Sequence, residues 1–176
     1  MLAKGWLVVA LVACLPAALW AGPGADGLGA EEAFSKLKTL QGDWSGKDTE
    51  EGAEAHHDAD ARHVFRVSAA GTVVMETMFP GTNHEMINMY HLDGHDLVLT
   101  HYCAAGNQPR MRLDRAASSA DRLVFAFAGG TNLDPKADMH IHSAQLTFAA
   151  DGLTSEWTSW NEGKPAETMK FQLVRD

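Results

Sequence analysis

Chemistry-bearing side chains crowd into residues 75–112, which hold four of the nine histidines, the only cysteine outside the N-terminal apolar segment and five of the eight methionines. Within and beyond that stretch two pairs stand two residues apart, His101 with Cys103 and His140 with His142. Side chains alternate along a β-strand, so this spacing puts both members of a pair on one face. Leu97 and Leu99 share that face with the first pair, and Ala144, Leu146 and Phe148 with the second. Both pairs are therefore expected to point into the protein. Imidazole and thiolate together suit zinc, copper or haem iron, which makes His101, Cys103, His140 and His142 a candidate metal set. The plainer use is as polar interior groups, hydrogen-bonded to one another and to trapped water. No Cys-x-x-Cys or His-Glu-x-x-His motif accompanies the pairs, so the plainer use is the expectation and no cofactor is assigned.

Neighbouring segments add candidates for contact with a ligand. Residues 84–92 present two faces, one with Glu85, Ile87, Met89 and His91 and one with His84, Met86, Asn88 and Tyr90. Glu85, Met89 and His91 are the candidates here, although the alternation leaves the second face open. In residues 72–79, Val73, Met75 and Phe79 read as inward, which puts Glu76 outside unless a bulge intervenes. Met111 and Trp157 complete the ligand-binding set with His101, Cys103, His140 and His142; Trp157 and Trp160 fall on opposite faces, so at most one of them lines an interior. An enzyme would use His101 as a general base assisted by Glu85 or Glu76. There is no Gly-x-Ser-x-Gly and no phosphate loop, so no catalytic residue is assigned.

The elements that must position these groups read as strands. Short alternating runs cover residues 43–48, 61–68, 72–79, 84–92, 95–103, 110–115, 122–128, 139–148, 153–160 and 168–174. Between them stand turn signals such as Pro80-Gly81, Asp93-Gly94, Asp151-Gly152 and Glu162-Gly163, and tight turns join antiparallel neighbours. About ten strands in up-and-down order, closed so that no edge is left, make an all-β antiparallel barrel. Residues 31–40 carry Ala33, Phe34, Leu37 and Leu40 on one side and read as a short helix ahead of it. Residues 49–60, with His56 and His57 among acids, and residues 129–138 read as the two long loops.

A short helix followed by Gly42-x-Trp44 on the first strand, with Arg175 at the end of the last, resembles the calycin architecture of lipocalins and fatty-acid-binding proteins. The opening Leu37-x-x-Leu40-x-Gly42-x-Trp44 is similar to that of an uncharacterised family of secreted bacterial lipocalin-like domains. The resemblance implies that Trp44 closes one barrel end with Arg175 lying across it, that Gly42, Trp44 and Arg175 are structural, and that the barrel holds a small ligand. It implies no activity. The histidine-rich middle and the lack of a cysteine pair depart from true lipocalins.

Lys4 followed by an apolar run from Gly5 to Trp20 reads as an export signal spanning residues 1–21, too short for a comfortable membrane span. A lipoprotein signal ending before Cys14 is the alternative, with a lipid anchor on that residue and a membrane-anchored rather than free protein. Residues 22–30 then form a flexible leader and residues 31–176 a single domain, secreted or periplasmic. A formal net charge of −9 argues against nucleic acid as a partner. The function expected is binding of a small, partly apolar ligand inside the barrel; the alternatives are a metal- or haem-binding barrel and an interaction domain with a filled barrel.

Overall fold

The computed structural model describes residues 27–48 and 61–176. The expected signal, Cys14, most of the leader and the loop with His56 and His57 lie outside the described residues. Ten antiparallel strands close into a barrel in which each is bonded to its neighbours in sequence and β1 (Gly42–Asp48) is bonded to both β2 (Ala61–Ser68) and β10 (Lys164–Arg175). Between them run β3 (Val73–Met78), β4 (Met86–Asp93), β5 (Asp96–Tyr102), β6 (Gln108–Leu113), β7 (Arg122–Thr131), β8 (His140–Phe148) and β9 (Leu153–Asn161). The fold expected from the turn signals is the fold found. Among the described residues every strand has a bonded neighbour on both sides, so the sheet has no edge strand, which removes the usual route to edge-to-edge association.

The turns follow from local chemistry. Glu162 and Gly163 have φ of +52° and +71° between the paired residues Asn161 and Lys164, the two-residue turn whose twist matches that of the strands it joins. Strand limits differ from the expectation where the chain continues past a turn-like sequence. β6 begins at Gln108, so Gln108 and Pro109 precede Arg110 in the strand, and β7 runs on through Gly129 and Gly130 to Thr131.

One barrel end is plugged by α1 (Ala30–Lys38), whose Ala30, Ala33, Phe34 and Leu37 are buried. Each large apolar side chain sealed this way contributes about 1.5–3 kcal/mol. The indole N–H of Trp44 donates to the carbonyl of Leu40 at 2.8 Å. Arg175 donates to the carbonyls of Gln41 and Thr39, and its guanidinium lies 4.5 Å from the centroid of the Trp44 ring. Gly42 has φ +138°, and a Cβ there would come within 2.6 Å of the Arg175 guanidinium. Trp157, Tyr90, Phe65, Phe125 and Phe171 are the largest of the fully buried side chains filling the interior.

Candidate functional site

Polar groups enter this interior as a belt across four consecutive strands near the end opposite α1. Glu76 on β3 lies opposite Asn88 on β4, which lies opposite His101 on β5; His63 joins from β2, one strand earlier. Their residues are exposed by no more than 1%. Buried polar groups must find partners, and these find one another. Glu76 Oε1 is 2.7 Å from Nδ1 of His63, while its Oε2 receives the Asn88 amide at 2.9 Å and the Tyr90 hydroxyl at 2.7 Å. Nδ1 of His101 is 2.7 Å from Oδ1 of Asn88.

The donors and acceptors in this chain are fixed by elimination. A carboxylate only accepts, so Glu76 draws the N–H₂ of Asn88 toward itself and leaves the amide oxygen for His101. Nδ1 of His101 must then carry the proton. Burial pushes the His101 pKa down to about 4, against the opposing pull of the Glu76 charge, so at neutral pH the ring is uncharged and Nε2 is a bare lone pair. That Nε2 is buried and, among the described residues, has no hydrogen-bond partner. Nε2 of His63 is in the same position, behind an Nδ1 that faces a carboxylate. Burial and the Glu76 charge raise the pKa of Tyr90 well above its ordinary value, which keeps it a phenol donating to Glu76.

Aromatic rings border both imidazoles. His101 lies 5.5 Å from Trp157, centroid to centroid, and His63 lies 5.3 Å from Phe171 and 6.0 Å from Phe79. Phe79 is half-buried at the end of β3, with φ +52°, a left-handed conformation unusual for a bulky side chain. Asn107, in the turn between β5 and β6, is 5% exposed; its amide donates to the Met139 carbonyl at 2.8 Å and its Oδ1 is a third unpartnered buried atom. By contrast, a groove of about 290 Å³ between Tyr102, Arg110 and Thr131 runs along the outer wall and holds none of these atoms.

Several side chains stand elsewhere than the sequence suggests. Val74, Glu76 and Met78 face the interior in place of Val73 and Met75, because both faces of that strand are apolar enough to be buried and three donors hold the carboxylate. On β4 the buried residues are Asn88 and Tyr90, so Met89 and His91 lie on the outer face, half-buried. Glu85 is exposed in the preceding turn, where its carboxylate accepts the Gly81 N–H at 2.7 Å. His101 is buried as its alternation with Leu97 and Leu99 suggests, and Met111 and Trp157 are buried as well.

A bulge between Ile141 and Ser143 interrupts the alternation on β8. His140 and His142 consequently leave the row of Ala144 and Leu146. Nε2 of His140 is 3.0 Å from Nδ1 of His142, and the His142 ring stacks at 3.7 Å on Trp160 and at 4.7 Å on Phe127. Burial, and then the neighbouring His140, lower the His142 pKa. Cys103 is half-buried at the end of β5 and accepts the Ala105 N–H at 3.5 Å. The four residues His101, Cys103, His140 and His142 are thus not gathered into one cluster, and among the described residues no three His, Cys, Asp or Glu side chains are placed to hold a metal ion.

Asn88 and Tyr90 belong to the second face that the alternation left open, whereas His63 had no place among the candidates. The signal for His63 was present in the alternation Ala61, His63, Phe65, which puts the imidazole on an apolar row. Among the described residues no helix is long and apolar enough to cross a membrane. Comparison with protein-family models finds no match, and no curated protein matches the sequence either.

Proposed function

We propose that the chain is an exported, lipocalin-like barrel that binds a small, partly apolar molecule in the end of its interior opposite α1. One observation carries the reading: His101 is locked by Asn88 with Nε2 bare, buried and unpartnered beside Trp157. An unmet acceptor in an apolar enclosure costs free energy, about 1–3 kcal/mol, that a bound partner recovers. A few placed polar groups among aromatic walls are what small-molecule sites are made of. Phe79 is the entry point in this proposal, since it covers His63 and is itself half-buried. Export rests on Lys4 and the apolar run from Gly5 to Trp20; the lipocalin-like assignment rests on closure of the other end by Trp44 and Arg175.

The test is mass spectrometry of organic extracts from protein purified from its native compartment, with ¹⁵N spectra of the histidine rings before and after extraction. A co-purifying small molecule whose removal moves the His101 Nε2 resonance supports the site. An empty extract, with His63 and His101 resonances that no small aromatic compound perturbs, sinks it.

The same bare nitrogen favours a second reading, a metal or haem iron held by His101, because an imidazole whose other nitrogen donates to a fixed acceptor is oriented as metal ligands usually are. Elemental analysis and an absorption spectrum of untagged protein decide between the two. Metal or haem near one per chain, lost in His101→Ala, would put this reading first.

A further inference from the structure

The unpartnered atoms have a polarity, and it narrows the class of ligand; this inference rests on the internal site proposed above. His101 offers a lone pair, because Asn88 holds the proton on the other nitrogen. Asn107 offers another, because its amide nitrogen is turned to the Met139 carbonyl, which leaves the amide oxygen buried and, among the described residues, without a partner. Both residues stand at the same end of the barrel, His101 near the end of β5 and Asn107 in the turn that follows. Cys103 stands two residues beyond His101 on the same face of the chain, and the Cys103 N–H donates to the Asn107 carbonyl at 3.1 Å across the β5–β6 turn.

Charge points the same way. Glu76 is the one acidic side chain among the buried polar residues described, and no Lys or Arg is buried with it. A carboxylate or phosphate ligand would meet two acceptors and a buried carboxylate, with no fixed cation to compensate. His63 adapts to either polarity, since its Nε2 accepts in the neutral ring and donates in the protonated one. Trp157, Phe171 and Phe79 supply flat apolar walls.

We propose that this end of the barrel selects small flat molecules bearing hydroxyl or amine donors, neutral or cationic, and rejects carboxylates of the same size. The ligand donates to Nε2 of His101 and to Oδ1 of Asn107 while its apolar body lies against the rings. Fatty acids and other anions are outside this class.

Benzyl alcohol and methoxybenzene test the donor rule cleanly, being isomers of equal size and charge of which only the alcohol donates. Benzylamine and benzoate test the charge rule. Each is titrated into the purified full chain labelled in its histidine rings, with the ¹⁵N resonances of His63 and His101 as the readout that localises binding. The alcohol should bind at least about tenfold tighter than the ether, the worth of one satisfied buried acceptor, and should move the His101 Nε2 resonance in the direction of an accepted hydrogen bond. Benzylamine should outbind benzoate by a similar factor at that resonance. Equal binding of alcohol and ether, or tighter binding of benzoate, overturns the donor rule and leaves the internal site standing. No perturbation of either histidine by any of the four overturns both.

Discussion

Asn88 holds Nδ1 of His101 at 2.7 Å through its amide oxygen, and it can do so because its amide nitrogen is committed to Glu76 at 2.9 Å. One side chain thereby transmits the orientation of a buried carboxylate to an imidazole on the next strand but one. Replacing it with an apolar residue of similar size, Asn88→Leu, strips a partner from Glu76 and leaves a second His101 nitrogen unmet. The loss should be about 2–4 kcal/mol, read as a lower urea midpoint with an unchanged slope. A variant as stable as the parent would mean that the belt does not hold together as described.

Acid should weaken the fold through the same ring. His101 takes up its proton near pH 4 when folded and near its ordinary value of 6.5 when unfolded. Between those values the unfolded chain binds the proton and the folded chain does not. Stability is therefore complete above about pH 6.5 and falls as the pH drops toward 4, by about 3 kcal/mol from this group. The lowered pKa of His142 acts in the same direction. Urea denaturation at intervals from pH 8 to pH 4 measures the slope, and in His101→Gln it should flatten between pH 6.5 and 4. An equal slope in that variant would assign the effect to other groups.

The barrel was readable because ten short alternating runs and their turns are local signals, each decided within about ten residues. The site was readable only in part, since its geometry depends on which face of a strand turns inward. On β5 the apolar Leu97 and Leu99 settle that question for His101, whereas Val73-Val74-Met75 and Ile87-Asn88-Met89 offer apolar residues to both faces. A buried Glu76 violates every local expectation and is explained only by donors arriving from β2 and β4. His140 and His142 leave the row of Ala144 and Leu146 for a different reason, a one-residue bulge that no residue type in Met139-His140-Ile141-His142 announces, yet His140 is fully buried and only His142 is partly exposed.

Closure of the α1 end gives a test that leaves the site untouched. Gly42 combines φ +138° with the approach of the Arg175 guanidinium to where a Cβ would stand. Gly42→Ala should cost about 1–3 kcal/mol from backbone strain and displacement of that guanidinium. Arg175→Lys keeps the charge but loses the planar fork that reaches the Thr39 and Gln41 carbonyls while stacking on Trp44, and should cost about 1–2 kcal/mol. Thermal unfolding of the two single variants and the double variant checks this. Effects that simply add would show that glycine and arginine act independently, against the contact between them.

Glu76→Gln separates the charge of the belt from its shape. The glutamine amide has one oxygen and one N–H₂ where the carboxylate has two oxygens. Turning the oxygen toward Asn88 and Tyr90 keeps two of the three hydrogen bonds and presents N–H₂ to Nδ1 of His63; the opposite orientation keeps only one. The first arrangement should prevail. His63 can then keep its contact only by moving its proton to Nε2. The variant should be less stable by about 1–3 kcal/mol, and at neutral pH the ¹⁵N spectrum should show His63 with a protonated Nε2 while His101 keeps its bare one. Because that change adds a donor on the His63 side, benzoate should gain on benzyl alcohol relative to the parent protein. Unaltered His63 tautomer and stability would mean that the carboxylate does not orient this ring.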